Sequence, residues 1–433
     1  MNTLDGPSLK YSYYVVFLLM LVYTLSFMDR VLISLLVEPI SKELQISDTQ
    51  IGMLIGFGFV LFYSVMGLPF GALADRFNRR NLIVLGIIGW SLATAGSGVV
   101  HGFGGLLLMR ALVGIGEATL TPAAMSTIAD RFPVSKLGFA TSLYSSGVVI
   151  GSGLALVFGG AMAQWALGTS LTLPLIGSYS GWRMTFLLVG LLGLPVAVIL
   201  LLTMREAERG HSAAPPPFAA IVTLIADHRQ AFAGCLFGLS SIVMANYASL
   251  LWGPAYFNRA HGMSMSEIGL LFGAMNAGLG LTGILLGGYL ADRLNRLGQV
   301  DAPVKVVLYS QIAQLPFLII AFTASNTTLA IACTGVTMLL TSMLGGLQGA
   351  TISQLVPSQM RGRMMAIYLL LANLIGMGGG PLLVGILSDQ FGRMLGYAIA
   401  VTATVGTLAG AALLTWSRPA VRRAITEQMA DRA

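Results

Sequence analysis

The chain has 433 residues, of which 56% are apolar and only 9% are charged, and its mean hydropathy is +0.82. In a soluble domain about a quarter of the residues are charged. This composition therefore excludes an ordinary water-soluble protein. The net charge of +7 does not indicate a nucleic-acid partner, because the basic residues are dispersed over short loops rather than clustered on one face.

Apolar stretches of about 20 residues recur along the chain, and each is long enough to cross a bilayer as a helix. The run after Lys10 is too long for a cleavable signal peptide and is expected to be the first span. Twelve spans are predicted, at 12–40, 50–74, 81–101, 104–128, 138–166 and 182–203, then at 230–257, 266–291, 303–325, 328–354, 363–388 and 394–416. The predicted fold is an all-α polytopic membrane protein.

A break in the apolar pattern separates two groups of six spans. Residues 204–228 bring charge and three consecutive prolines, which is typical of a linker. The predicted organisation is an N-terminal six-helix bundle at 1–203, a cytoplasmic linker at 204–228, a C-terminal six-helix bundle at 229–418 and a cytoplasmic tail at 419–433. The tail is polar and basic, and is expected to form a short amphipathic or disordered segment at the membrane surface.

The distribution of basic residues predicts the orientation. With the N-terminus in the cytoplasm, 18 of the 24 Lys and Arg residues fall in cytoplasmic segments and two lie within spans. The opposite side receives only four, Lys42, Arg183, Arg259 and Arg393. The positive-inside rule therefore predicts that both termini are cytoplasmic, in the inner membrane if the source is bacterial.

Two segments half a chain apart are similar. GALADRFNR at 71–79 corresponds to GYLADRLNR at 288–296, and SDTQIGML at 47–54 corresponds to SMSEIGLL at 264–271, both at an offset of 217. The two halves are therefore related repeats. Parallel repeats about an axis along the membrane normal place a substrate cavity between the halves and permit alternating access.

The segment GALADRFNRR, from Gly71 to Arg80, resembles the loop signature G-x-x-x-D-R-x-G-R-R between the second and third spans of the major facilitator superfamily. Asn78 replaces the usual glycine, and its tolerance of positive φ is expected to preserve a tight turn. The resemblance implies two pseudo-symmetric halves of six transmembrane helices each.

Physically, a carboxylate at a helix end can accept backbone N–H groups or pair with an arginine, and so hold the cytoplasmic face in one state. The alternative is a charge cluster that only sets the topology. The predicted cytoplasmic gate consists of Gly71, Asp75, Arg76 and Arg79 in the first repeat, and of Asp292, Arg293 and Arg296 in the second.

Two carboxylates lie near the middle of spans, Asp29 in the first and Glu117 in the fourth. An ionisable residue inside the membrane is a functional candidate, because its burial is costly. Arg30 is adjacent to Asp29, and Arg110 precedes Glu117 by two helical turns on one face, so each acid has a candidate partner. We expect the acids to exchange protons while the arginines neutralise them or hold an anionic head group. The alternative is a static salt-bridge network.

Several segments, FMDR (27–30), RALVGIGEATLTP (110–122), IADRFP (128–133), VIGSGLA (149–155), GWRMTF (181–186) and MREAERG (204–210), resemble the spinster-like branch of the superfamily. That resemblance implies a lipid or lysolipid substrate that moves with a proton. The organic-anion–proton symporter branch shares the Asp-Arg pair and the Arg-to-Glu spacing, and would imply a sugar acid instead.

Polar residues inside other spans are candidates for the lining of the cavity, although hydrogen bonding between helices is an equal alternative for them. These residues are Tyr144, Asn246, Tyr247, Asn276, Gln348 and Asn373.

Other functional classes are disfavoured. The four histidines map to loops or span ends, so neither a catalytic nor a metal constellation is expected. No phosphate-binding G-x-x-x-x-G-K-[ST] motif occurs, so no cofactor is expected, and a proton gradient is the expected energy source. A channel is disfavoured, because a gate motif that is repeated on the cytoplasmic face suits a transporter that closes alternately on its two sides. The expected unit is a monomer in contact with membrane lipids.

Overall fold

The computed structural model describes residues 9–167, 170–173, 177–206 and 218–430. Within these residues, eleven helical segments are long and apolar enough to cross a membrane. The predicted third span is a further helix of 19 residues. All twelve predicted spans are therefore helical.

The first six helices are α1 Leu9–Leu35, α2 Asp48–Arg76, α3 Arg79–Ser97, α4 Phe103–Arg131, α5 Val134–Leu167 and α6 Trp182–Thr203. α1 ends earlier than predicted, and a short helix, Val37–Leu44, follows it. A small antiparallel hairpin of β1 (Ser170–Leu173) and β2 (Gly177–Ser180) lies between α5 and α6 in sequence. This hairpin was not predicted.

The second six helices are α7 Arg229–His261, α8 Met265–Arg296, α9 Ala302–Thr323, α10 Thr327–Gln354, α11 Arg361–Gln390 and α12 Leu395–Ala430. The predicted linker contains a helix, Phe218–Asp227, while residues 207–217 lie outside the described part. α12 continues well past the predicted end of its span at 416, so the chain is helical into the predicted tail.

Several long helices are interrupted. α2 contains a π-helical turn at Met53–Phe57, α8 one at Asn276–Gly280 and α11 one at Ala372–Gly379. α4 is divided into Phe103–Glu117 and Leu120–Arg131, and α9 and α10 are divided after Ala313 and Ser342. Such interruptions often occur at functional positions in helices.

The helices form two compact units. Unit 1 consists of the described residues within Met1–Ile46, Gly58–Ser212 and Met263–Ala274, and unit 2 of those within Ser47–Phe57, Ala213–Gly262 and Met275–Ala433. Each unit thus includes a short segment from the other half of the sequence. The chain passes from unit 2 to unit 1 within α2, directly after its π-helical turn.

Glycines allow the helices of each unit to approach closely. In unit 1, a Cβ at Gly151 of α5 would lie 2.4 Å from the carbonyl oxygen of Thr24 in α1. A Cβ at Gly380 of α11, in unit 2, would lie 2.5 Å from the carbonyl oxygen of Met244 in α7. Small residues at such contacts are typical of membrane helices, which associate mainly through close packing.

Candidate functional site

The predicted intramembrane charges come together in unit 1. Asp29 and Arg30 of α1 and Arg110 and Glu117 of α4 are all at most 4% exposed. Successive residues of a helix project in directions about 100° apart, so the two neighbours on α1 meet different surroundings.

Arg30 forms a short ion pair with Glu117. Its Nε donates to Glu117 Oε2 at 2.6 Å, and its Nη2 lies 2.6 Å from the same oxygen. Ser26 lies one turn before Arg30 on α1, and its hydroxyl also donates to Oε2 at 2.6 Å. Charge-assisted hydrogen bonds of this length are among the stronger polar contacts in proteins.

Asp29 has different partners. Its Oδ2 accepts a 2.6 Å hydrogen bond from the Thr94 hydroxyl of α3, and its Oδ1 lies 4.0 Å from Nη1 of Arg110. The Arg110 pair is therefore longer than the Arg30 pair.

These contacts correct the predicted pairing. Closeness in sequence predicts the pairs Asp29–Arg30 and Arg110–Glu117. The ion pairs instead join α1 to α4 in both cases. Arg110 and Glu117 are separated by a rise of about 10.5 Å along α4, and each pairs with a residue of α1 instead.

Three aromatic rings surround the Arg30 guanidinium. Its central carbon lies 4.7 Å from the ring centre of Phe27, 4.9 Å from that of Phe59 and 4.4 Å from that of Tyr63. Cation–π contacts of this kind stabilise a desolvated charge by up to about 2 kcal/mol. The rings hold the guanidinium in a fixed position.

One oxygen of each acid lacks a hydrogen bond. Glu117 Oε1 and Asp29 Oδ1 are buried and accept no hydrogen bond from the part of the chain that the structure describes. A buried polar atom without a partner is costly, and such atoms often mark functional positions. Each oxygen can accept a proton or a donor group without displacing a hydrogen bond already made.

The predicted cytoplasmic gate has unequal surroundings in the two repeats. In unit 1, Asp75 and Arg76 are exposed, whereas Arg79 is 3% exposed and lies 2.6 Å from Asp130 of α4. In unit 2, the residues of the second repeat, Asp292, Arg293 and Arg296, are all exposed.

Asn78 does not form the predicted turn with positive φ. Its φ is −63°, and its side-chain oxygen accepts a hydrogen bond from the backbone N–H of Asn81. Asn78 is therefore the N-cap of α3, a position that asparagine favours strongly.

The predicted cavity residues differ in their surroundings. In unit 1, Tyr144 is 1% exposed and its ring stacks on Tyr23, with 4.6 Å between the ring centres. In unit 2, Gln348 accepts a 2.5 Å hydrogen bond from the Tyr368 hydroxyl. The other candidates are half-buried: Asn246, Tyr247, Asn276 and Asn373.

A polar cluster in unit 2 was missed. Asp48, at the start of α2, is 0% exposed and forms two hydrogen bonds with Arg259 of α7, at 2.8 and 3.1 Å. Ser388 of α11 donates to Asp48 at 2.6 Å. Asp389 in turn accepts from the backbone N–H groups of Asp48 and Thr49. The helix-capping pattern SDTQ at 47–50 indicates the start of α2 but not the contact with Arg259.

The sequence pattern that describes the major facilitator superfamily matches residues 19–301 and 264–432. The chain is 30% identical to an MFS-type efflux pump of Mycolicibacterium smegmatis, over 95% of this chain and 93% of that protein. It is 27% identical to protein spinster homolog 1 of Xenopus laevis, over 96% of this chain and 82% of that protein.

The fold is also similar to a solved structure. A bacterial homologue of the human lysosomal transporter Spinster, in an inward-facing and unoccupied conformation, matches with a TM-score of 0.78 and 28% identity, over 97% of each chain. These similarities confirm the predicted resemblance to the spinster-like branch and the twelve-helix fold. The chain therefore belongs to the major facilitator superfamily of membrane transporters.

Proposed function

We propose that this transporter couples the movement of a lysolipid-like amphiphile to protons, by alternating access. The observation that carries the proposal is the buried arrangement of two carboxylates and two guanidiniums between α1 and α4. Ionisable side chains in membrane helices commonly form proton relays or substrate sites, because a purely structural role rarely justifies their cost.

Protonation supplies a physical switch in this arrangement. A proton on Glu117 removes the negative charge that Arg30 faces at 2.6 Å, which leaves the guanidinium available to an anionic head group. Release of the proton restores the ion pair and competes with that head group. Arg110 balances the charge of Asp29 in the same way. Protonation of either acid therefore changes whether its arginine is available to the charge of the substrate.

The proposed lysolipid rests on the similarity to spinster-like proteins and on two features of unit 1. The aromatic rings beside Arg30 suit an amphiphile with an anionic head. A surface groove of ≈ 480 Å³ is lined almost entirely by apolar residues of α2, α3 and α4, including Leu85, Leu112 and Gly116. An apolar groove of this kind can accept an acyl chain.

The topology completes the proposal. Both termini are placed in the cytoplasm by the positive-inside rule, with bundles at 1–203 and 229–418 joined through 204–228, and with the tail at 419–433. The proposed unit is a monomer. The repeated motif forms the cytoplasmic gate. Tyr144 of unit 1 and Gln348 of unit 2 are each proposed as substrate contacts within their own unit.

Transport in proteoliposomes tests the proposal. The probes are a palmitoyl-lysophosphatidylglycerol and, for the sugar-acid alternative, galactonate. We expect lysolipid transport that responds to a pH gradient in the wild type. Asp29→Asn and Glu117→Gln should lose the response to the gradient but retain exchange of lysolipid across the membrane. The proton role is wrong if both variants keep gradient-driven transport at the wild-type rate.

Two other results would favour a different substrate or a different function. Gradient-driven movement of galactonate, with no lysolipid transport, would favour the organic-anion symporter over the proposed function. Single-channel currents in a planar bilayer would instead favour a channel.

A further inference from the structure

A small chamber with a few polar groups in a mostly apolar lining borders Asp29 on the side of α3 and α6. It is lined by Asp29 of α1, by Trp90, Ser91 and Thr94 of α3, and by residues of α6 that include Gly193. Its volume is ≈ 10 Å³, which is at the lower limit of the space that one water molecule requires by the same measure.

The polar atoms at this chamber match the needs of a water molecule. Asp29 Oδ1 and Ser91 Oγ are buried and have no hydrogen-bond partner among the described residues. The Thr94 hydroxyl donates to the other oxygen of Asp29, and its second lone pair can accept. A buried water typically makes about three hydrogen bonds to groups that are otherwise unsatisfied. These three side chains supply two acceptors and a hydroxyl that can donate or accept.

Glycines of α6 leave room for the chamber and for the Ser91 hydroxyl. A Cβ at Gly193 would lie 2.0 Å from Ser91 Oγ, so any larger residue would force the hydroxyl to move. A Cβ at Gly190 would lie 2.7 Å from the Ser91 carbonyl oxygen. The close approach of α3 and α6 thus shapes the space beside Asp29.

We infer that this chamber is a water site through which Asp29 exchanges its proton, with Ser91 as the positioning residue for that water. The inference rests on the proposed function, in which Asp29 carries a proton. It adds that protons reach the two acids from different sides. Asp29 opens towards α3 and α6, whereas Glu117 is enclosed by Ser26 and Arg30 of α1.

The charges that face Asp29 come from two helices. Arg110 of α4 is 4.0 Å away, and Arg30 and Glu117 interact with each other nearby. The lining of the chamber contributed by α3 and α6 carries no charge. A proton carried by a water on that side therefore meets no charged side chain of α3 or α6 before Asp29.

Infrared spectroscopy of the purified protein in lipid tests the inference without a substrate. Asp29→Asn identifies the Asp29 carboxyl band, recorded at acidic pH, and transfer to heavy water gives its exchange rate. Ser91→Val replaces the hydroxyl by methyl groups that occupy the chamber, and Gly193→Ala pushes the hydroxyl into it. Because each variant removes a hydrogen bond to the water, or the water itself, exchange should slow by about tenfold or more.

Ser97→Ala is the matched control. Ser97 is also buried in α3, but its hydroxyl donates to the Ala93 carbonyl of its own helix, and it does not line the chamber. The exchange rate of the Asp29 carboxyl in this variant should equal that of the wild type. If Gly193→Ala does not fold, Ser91→Val alone decides, with its thermal unfolding midpoint as the check on folding.

The outcomes separate the inference from the proposed function. Wild-type exchange in a folded Ser91→Val protein overturns the chamber as the proton route, whatever transport shows. Slow exchange in that variant, with loss of gradient-driven lysolipid transport and retained lysolipid exchange, supports it. Gradient-driven transport that persists in Asp29→Asn overturns the role of Asp29 in coupling and with it the functional meaning of the chamber.

Discussion

Arg30 of α1 donates to Glu117 of α4 at 2.6 Å, across 87 residues of sequence, and not to its neighbour Asp29. Ser26, one turn earlier on α1, donates to the same carboxylate oxygen. This three-residue contact fixes α1 against α4 and leaves the opposite oxygen of Glu117 without a hydrogen bond from the described residues.

The Arg30–Glu117 pair should show strong coupling in a double-mutant cycle. Arg30→Met alone leaves a buried carboxylate without its cation, and removal of one partner of a buried pair costs about 3–5 kcal/mol. Arg30→Met combined with Glu117→Gln should cost less than the sum of the two single changes. Unfolding of the four proteins in one detergent measures this, and additive costs would contradict the pairing.

Replacement of Arg30 by lysine tests the aromatic surroundings. The Arg30→Lys variant keeps a positive charge but loses the planar guanidinium that faces Phe27, Phe59 and Tyr63. Because arginine and lysine are not equivalent at stacked, bidentate sites, we expect reduced stability and at least about a tenfold loss of lysolipid transport. Arg423→Lys makes the same chemical change at an exposed position of α12 and serves as the control, with transport near the wild-type level. Equal transport in both variants would mean that the rings do not select the guanidinium.

The Asp48–Arg259 pair should hold the start of α2 in place within unit 2. Arg259→Gln leaves the buried Asp48 carboxylate without its cation, so the segment 47–57 should open more often. Hydrogen–deuterium exchange of peptides from that segment measures this opening, and a faster exchange is expected. Lys42→Gln changes an exposed charge nearby in sequence and should have no effect. Equal exchange in both variants would mean that the Asp48–Arg259 pair does not hold the start of α2 in place.

Gly385 of α11 packs against the start of α2 and should not tolerate an added methyl group. In Gly385→Ala the new Cβ would meet the Asp48 carbonyl oxygen at 2.2 Å, whereas in Gly362→Ala of the same helix it would meet nothing within 4 Å. Overpacking of this kind typically costs about 1–3 kcal/mol. Thermal unfolding should therefore show a lower midpoint for Gly385→Ala and little change for Gly362→Ala.

The two copies of the repeated motif should respond differently to the same substitution. Arg79 is 3% exposed and paired with Asp130, whereas Arg296 is exposed. Arg79→Gln should destabilise by more than the roughly 1 kcal/mol of an exposed ion pair, and Arg296→Gln by no more than about 0.5 kcal/mol. Unfolding midpoints of the two variants provide the comparison. Equal losses would mean that burial at Arg79 has no energetic consequence.

The sequence identified the twelve helices because each apolar run must satisfy its backbone hydrogen bonds internally, which depends only on composition and length. It also identified Asp29, Arg30, Arg110 and Glu117, since charge is conspicuous inside such runs. Helix ends were less certain: α12 extends to Ala430, and the hairpin between α5 and α6 gave no recognisable pattern.

The sequence by itself thus determines which residues of α1 and α4 are charged and how deep in the spans they lie. Which acid each arginine meets was decided only by the tertiary structure, because the rotation of α1 relative to α3 and α4 sets the direction of every side chain. The same packing placed Ser91 and Gly193 beside Asp29. Contacts between distant helices depend on how side chains fit together in three dimensions, and a pattern of polar and apolar residues along one helix does not specify that fit.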